Sequence, residues 1–154
     1  MKKLLTLLLT VLVMQSFAQV DIPQLSPAST ITQMVGLTKI SVDYSRPGVR
    51  DRDIFGNLVA YDKMWRTGAN ASTKITFEKE VKLNGNTIPA GTYALYTIPS
   101  KKTWEIIIHK NIEHWGLGGQ DYKASEDLVR FTVPANKAKS LVENMRTLGI
   151  SLNM

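Results

Sequence analysis

The chain has 154 residues and a net charge of +6, with 44% hydrophobic and 21% charged residues. This length and composition predict one folded domain and exclude an intrinsically disordered chain. The sequence contains no cysteine, which excludes disulfide bonds, cysteine-ligated metal clusters and a thiol nucleophile. The lysines are scattered and do not form one basic stripe, so nucleic-acid binding is not expected.

The first eighteen residues are typical of a Sec-type signal peptide. Lys2 and Lys3 form a basic start, residues 4–14 form an apolar run, and Ser16 and Ala18 place small residues where a signal peptidase cleaves. The apolar run is shorter than the roughly 20 residues that a membrane-spanning helix needs. We therefore predict cleavage after Ala18 and a periplasmic or secreted protein without a membrane span.

The rest of the chain is predicted to form an extended lead-in over residues 19–29 and a single β-domain over residues 30–154. Apolar residues alternate with polar ones in Thr38–Ser45, which predicts a half-buried strand. Asn84 and Gly85 separate two short β-rich runs and predict a hairpin turn, because both residues tolerate positive φ. Further strands are predicted at residues 30–35, 73–77, 81–83, 87–88, 92–98, 103–109 and 127–133.

Helix signals are few. Apolar spacing predicts short helices at residues 57–65 and 136–145, the second capped by Asn136. The predicted fold is therefore all-β, with about seven antiparallel strands and one or two short helices. Such short, evenly spaced strands are typical of a β-sandwich or a partly open barrel.

Residues 46–70 do not fit the strand pattern and hold four of the six arginines. Long connections in compact domains are often functional, arginine binds carboxylate or phosphate with two parallel bonds, and nearby aromatic rings can stack on sugars. We predict a ligand site for an anionic or carbohydrate ligand, formed by Arg46, Trp65, Arg66, Asn70 and the neighbouring Asp43. The alternative is that Arg50 and Arg52 are neutralised by Asp51 and Asp53 and hold the loop to the sheet, with Asp43 in a structural pair with an arginine.

Catalytic motifs are missing from the sequence, which has no nucleophile elbow, P-loop, dinucleotide-binding fingerprint or zinc-protease motif. No catalytic residue is assigned, and no metal or cofactor is expected. His109 and His114 could still bind a metal together with Glu105 or Glu113, as in two-histidine, one-carboxylate sites. Histidines without a metal are the commoner case.

Several runs of residues resemble the exported bacterial family called domain of unknown function 2911: Asp43–Pro47, Ile54–Gly56, Trp65–Asn70 and Pro89–Pro99. The resemblance covers residues 26–145. It implies an exported β-domain but no catalytic residue, because the family has no assigned activity. Family members continue with one or two further strands, so the resemblance implies a truncated C-terminus and an uncovered sheet edge that favours self-association.

Three functions follow from the sequence, in descending order. The first is a binding module with an Arg/Trp-rich loop site. The second is a structural or partner-binding β-domain that pairs through its edge strand. The third is a metal-dependent hydrolase that uses His109 and His114.

Overall fold

The computed structural model describes residues 22–117, 119–136, 138–140 and 142–145. The predicted signal peptide and the C-terminal residues 146–154 lie outside the described residues. Eight strands are present: β1 (Ala28–Val35), β2 (Thr38–Ser45), β3 (Ala69–Phe77), β4 (Val81–Leu83), β5 (Asn86–Ile88), β6 (Gly91–Pro99), β7 (Thr103–His109) and β8 (Asp127–Pro134). Six of them form one antiparallel sheet in the order β1-β2-β3-β6-β7-β8, and β4 pairs only with β5.

The all-β prediction is confirmed. The large sheet is open, with β1 and β8 at its edges, and the β4–β5 hairpin packs its buried Val81 and Ile88 against one face of it. The fold is therefore sandwich-like and is not a closed barrel. No helix in the described part of the chain is long and apolar enough to cross a membrane.

Strand β2 shows how the alternating pattern becomes a core. Ile40, Val42 and Tyr44 are buried, while Lys39 and Asp43 on the other face are exposed or half-buried. Side chains alternate between the two faces of a strand, so one face of β2 joins the main apolar cluster with Ile75, Phe77 and Ile108.

The two central strands, β6 and β7, are covered on both faces. Ile108 belongs to the main apolar cluster, and its neighbour Ile107 belongs to a second cluster with Ala94 and Tyr96 on the opposite face. Ile107 and Ile108 are both fully buried. A run of apolar residues is expected in a strand with two buried faces, and the second face carries the polar cluster described below.

The predicted helix at residues 57–65 is wrong. Its backbone pairs with the sheet instead of with itself: Asp62 N–H donates to the Pro99 carbonyl, and Trp65 exchanges two backbone hydrogen bonds with Thr97. Asp62 also has a φ of 59°, which a right-handed helix does not allow. Pairing with the end of β6 therefore overrides the apolar spacing.

The predicted helix at residues 136–145 is also wrong in its described residues, and residues 137 and 141 lie outside them. Val49 N–H donates to the Glu143 carbonyl, and Met145 N–H donates to the Pro47 carbonyl. This segment is therefore tied to the start of the long loop. The helical turns that are described are two short 3-10 turns, Gly119–Asp121 and Ala124–Glu126.

Candidate functional site

Three of the four loop arginines bind backbone carbonyl groups. Arg46 Nε donates to Met145 O at 3.2 Å, Arg50 Nη2 to Leu25 O at 2.7 Å, and Arg52 Nη2 to Gly48 O at 2.7 Å. Within the described ranges, no ion pair joins these guanidinium groups to Asp51 or Asp53. The three arginines tie the loop to its own backbone and to the two chain segments beside it.

Trp65 packs inside the base of the loop. Its ring lies 5.9 Å from the ring of Phe55 and 6.3 Å from that of Trp104, in edge-on geometry, and its indole N–H donates to the Gly68 carbonyl at 3.1 Å. Edge-on aromatic contacts of this kind stabilise packing. Trp65 therefore holds the loop against β7 and is separated in this way from Asn70.

The loop re-enters the sheet through a tight approach at Gly68. A Cβ atom at this position would lie 2.9 Å from Thr73 Oγ1 and 3.2 Å from the Ser45 carbonyl. The preceding residue, Thr67, has a φ of 56°, which is rare for a β-branched residue and marks backbone strain. This strained entry places Asn70 at the start of β3.

Asp43 and Asn70 are both near this end of the sheet, but only Asn70 lines a cavity. Asp43 is exposed on β2, where its carboxylate accepts a hydrogen bond from the Thr30 hydroxyl. Asn70 Nδ2 donates to the Ser45 hydroxyl at 3.2 Å and to the Ser26 carbonyl at 3.4 Å. These bonds orient the Asn70 amide at the cavity wall.

The cavity is an open cleft of about 480 Å³ at this end of the sheet. We call it the Trp115 cleft, and its lining residues are Gln24, Leu25, Ser26, Ser45, Asn70, Ala71 and Trp115. The lining combines amide and hydroxyl groups with apolar surface and contains no ionisable side chain. Trp115 is 76% exposed, so much of its ring surface is accessible to a ligand.

The loop at residues 111–117 presents Trp115 to the cleft. Trp115 forms a β-bridge with Ala71, and the carbonyl of His114 accepts hydrogen bonds from Ser72 N–H at 3.5 Å and from the Ser72 hydroxyl at 3.4 Å. The loop is therefore attached to the start of β3, next to Asn70.

On the second face of the sheet, the two histidines come together. Their ring centroids are 5.3 Å apart, and they are 0% and 6% exposed for His109 and His114. His109 Nδ1 lies 2.8 Å from Asp127 Oδ1, and His114 Nδ1 lies 3.1 Å from the Tyr96 hydroxyl. We call these residues, with Tyr122 and Arg130, the histidine cluster.

Asp127 is the centre of the histidine cluster. Besides His109, it accepts hydrogen bonds from the Tyr122 hydroxyl at 2.7 Å and from Arg130 Nε at 2.7 Å. Burial opposes ionisation of the Asp127 carboxyl, but the bonds from Tyr122, His109 and Arg130 outweigh it and hold its pKa below the ordinary value. A carboxylate only accepts hydrogen bonds, so His109 Nδ1 carries the proton and its Nε2 has the lone pair.

Both imidazole Nε2 atoms are buried without a hydrogen-bond partner. Of the carboxylates considered from sequence, Glu105 pairs with Arg130 at 3.7 Å, and Glu113 is exposed. Glu126 Oε2 lies 3.7 Å from His109 Nε2. In the part of the chain that is described, no group of three or more histidine, aspartate or glutamate side chains could hold a metal ion.

Arg66 differs from the other loop arginines. Its Nε is buried, and no described residue accepts a hydrogen bond from it. Its Nη1 lies 4.0 Å from the position that a Cβ atom on Gly116 would occupy. Arg66 therefore lies against the loop that carries Trp115.

The structure thus distributes the residues that the sequence placed in one site. Asn70 lines the cleft and Arg66 lies beside its loop, whereas Arg46 is tethered to Met145 and Trp65 is packed against aromatic rings. Sequence reasoning missed Trp115. The available signal was a tryptophan next to Gly116 in a segment without strand periodicity, where a large apolar side chain has no strand face to pack against.

The fold and the cleft define an all-β protein with one open antiparallel sheet and a polar cleft at the end of its strands. Residues 26–152 match the family described as protein of unknown function (DUF2911), and the chain belongs to this family. No curated protein and no solved structure matched the chain.

Proposed function

We propose that this protein is an exported binding module that takes a carbohydrate in the Trp115 cleft. The observation that carries the proposal is the exposed Trp115 ring on an open cleft lined by amide and hydroxyl groups. Sugars offer an apolar ring face for stacking and hydroxyl groups that donate and accept hydrogen bonds. Trp115 supplies the stacking surface, and Gln24, Ser45 and Asn70 supply matching polar groups.

The chemistry of the cleft also supports a binding role over a catalytic one. A catalytic site needs a group that can transfer a proton or attack a substrate, and the cleft lining has no ionisable side chain. Small-ligand sites combine apolar surface with a few oriented polar groups. Asn70 meets that description because its amide is already held by Ser45 and Ser26.

Titration of the purified protein with soluble oligosaccharides, followed by tryptophan fluorescence, tests the proposal. Stacking of a sugar on Trp115 is expected to change its emission, and Trp115→Ala is expected to abolish both the change and the binding measured by calorimetry. Leu117→Ala is the matched control, because Leu117 is a partly exposed apolar residue of the same loop that does not line the cleft. Equal binding by wild type and Trp115→Ala would reject the cleft.

A second candidate is a hydrolase that uses His109 and His114. The observation in its favour is that both imidazoles lie together with an unpaired Nε2. His109, oriented by Asp127, would act as the general base on a water molecule. Chromogenic esters and glycosides test this candidate: turnover that is lost in His109→Gln supports it, and equal rates in wild type and His109→Gln exclude it.

A further inference from the structure

We propose that the ligand of the Trp115 cleft is an acidic carbohydrate, a sugar with a carboxylate group, and that Arg66 binds this carboxylate. The inference rests on the proposed function and adds the chemical class of the ligand. Its basis is a buried guanidinium N–H without an acceptor, next to the loop that carries Trp115.

The state of Arg66 needs an explanation, because the other three loop arginines are engaged. Arg46, Arg50 and Arg52 donate to backbone carbonyl groups, whereas Arg66 Nε finds no acceptor among the described residues. Leaving a buried charged donor unpaired is costly. A carboxylate would satisfy it, since the planar guanidinium group matches a carboxylate with two parallel hydrogen bonds.

The position of Arg66 relates it to the cleft in two ways. Along the chain, it precedes the cleft-lining Asn70 by four residues, and its carbonyl accepts a hydrogen bond from Thr73 N–H on the same strand. In space, its Nη1 lies against Gly116, the residue that follows Trp115. A sugar ring stacked on Trp115 would therefore have a cationic group beside the aromatic surface.

The charges around the cleft agree with an anionic group on the ligand. The cleft lining is neutral, so it neither attracts nor repels charge by itself. Within the described ranges, no acidic side chain forms an ion pair with Arg66. The positive charge of Arg66 is therefore not neutralised by the protein and selects an acidic sugar over its neutral counterpart.

The test compares galacturonate oligomers with galactose oligomers of the same length by calorimetry. We expect wild type to bind the acidic oligomer about tenfold more tightly or better, with a preference that falls as salt rises. Arg66→Gln is expected to bind both oligomers with the affinity that wild type has for the neutral one. Lys63→Gln is the matched control, because it removes one exposed positive charge from the same loop and is expected to keep the preference.

The outcomes separate the inference from the proposed function. Equal affinity of wild type for the acidic and neutral oligomers would overturn the role of Arg66 and leave carbohydrate binding intact. Binding of neither oligomer would overturn both. If Arg66→Gln does not fold, Arg66→Lys decides: it keeps the charge but loses the paired hydrogen bonds, so an unchanged preference in this variant contradicts the bidentate contact.

Discussion

His114 and Trp115 are consecutive residues that face opposite environments. The His114 imidazole is buried and hydrogen-bonded to the Tyr96 hydroxyl at 3.1 Å, while the Trp115 ring is 76% exposed at the cleft. The loop is therefore held from the inside by one side chain and presents the other to solvent. The histidine cluster and the Trp115 cleft, which contain different residues, are connected through this single peptide unit.

We predict that His114→Ala weakens ligand binding at the cleft without removing any residue that lines it. The substitution leaves the Tyr96 hydroxyl without its partner, a loss of about 1–3 kcal/mol for a buried polar group, and releases the attachment of Trp115. Calorimetric affinity for the bound sugar and the wavelength of Trp115 emission measure the effect. Glu113→Ala changes the exposed neighbour of His114, and an equal loss of affinity in this variant would contradict the mechanism.

Asp127→Asn is predicted to destabilise the fold by about 2 kcal/mol, because three donors converge on this carboxylate and its side chain is 7% exposed. Urea denaturation measures the change in the free energy of unfolding. Asp43→Asn is the control, since Asp43 is exposed and accepts one hydroxyl hydrogen bond. It is expected to change stability by less than about 0.5 kcal/mol.

Asp127 also predicts a dependence of stability on acid. Its pKa in the folded protein lies below the ordinary value of 3.8. Its stabilising contribution is therefore present above pH 3.8 and is lost as the pH falls through the folded-state pKa. The free energy of unfolding should decrease less steeply with acid in Asp127→Asn than in wild type, and parallel curves would show that another carboxyl group is responsible.

Tyr122 predicts the opposite dependence in alkali. Burial, together with its hydrogen bond to Asp127 and the negative charge of that carboxylate, raises the pKa of Tyr122 from 10.0 to about 12. Its contribution to stability is present below pH 10 and is lost as the pH rises through about 12. Ultraviolet titration should show a late-ionising tyrosine that disappears in Tyr122→Phe, and an unchanged titration curve in that variant would refute the assignment.

Gly68→Ala is predicted to destabilise the protein by about 1–3 kcal/mol, because the new Cβ would overlap Thr73 Oγ1 and press on the Ser45 carbonyl. Thermal unfolding measures the loss. Gly48→Ala offers a matched control, since the closest atoms to a Cβ there are the side-chain oxygens of Glu143 and Asn144, at 3.3 and 3.4 Å. Equal melting temperatures for the two variants would argue against a tight approach at Gly68.

Export is predicted to remove residues 1–18. Expression of the full chain in a bacterium with a Sec system should yield a periplasmic or secreted protein whose mass corresponds to a start at Gln19. Ala18→Leu places a larger side chain at the cleavage position and is expected to leave the leader attached. A wild-type product that retains residues 1–18 would contradict the signal-peptide interpretation.

The strands could be predicted from sequence because their signals are local. The alternation in Thr38–Ser45 and the Asn84-Gly85 turn, whose φ angles are 48° and 82°, depend on side-chain period and backbone freedom alone. The two predicted helices failed because distant partners decide their conformation. Thr97 pairs with Trp65, and Pro47 and Val49 pair with residues 143–145, contacts that apolar spacing does not encode.

The candidate site was only partly predictable for the same reason. Arginine density in residues 46–70 identifies the segment but cannot distinguish a guanidinium group bound to a backbone carbonyl, as in Arg52, from one without an acceptor, as in Arg66. The histidines were recognised as a pair, but Asp127 and Tyr122 are brought to them by the register of β7 and β8. Pairing of distant segments creates both arrangements.

The pairing of Ser45 with Ala69 has a consequence for folding kinetics. The other neighbours in the sheet are joined by the turn at residues 36–37, the short connection at residues 100–102, the β4–β5 hairpin or residues 110–126, whereas β2 and β3 meet only after residues 46–68 have been closed into a loop. Contacts between residues far apart in sequence slow folding because chain entropy is lost before the contacts form. The joining of β2 to β3 is therefore expected to be the slow step, and shortening this loop should accelerate refolding.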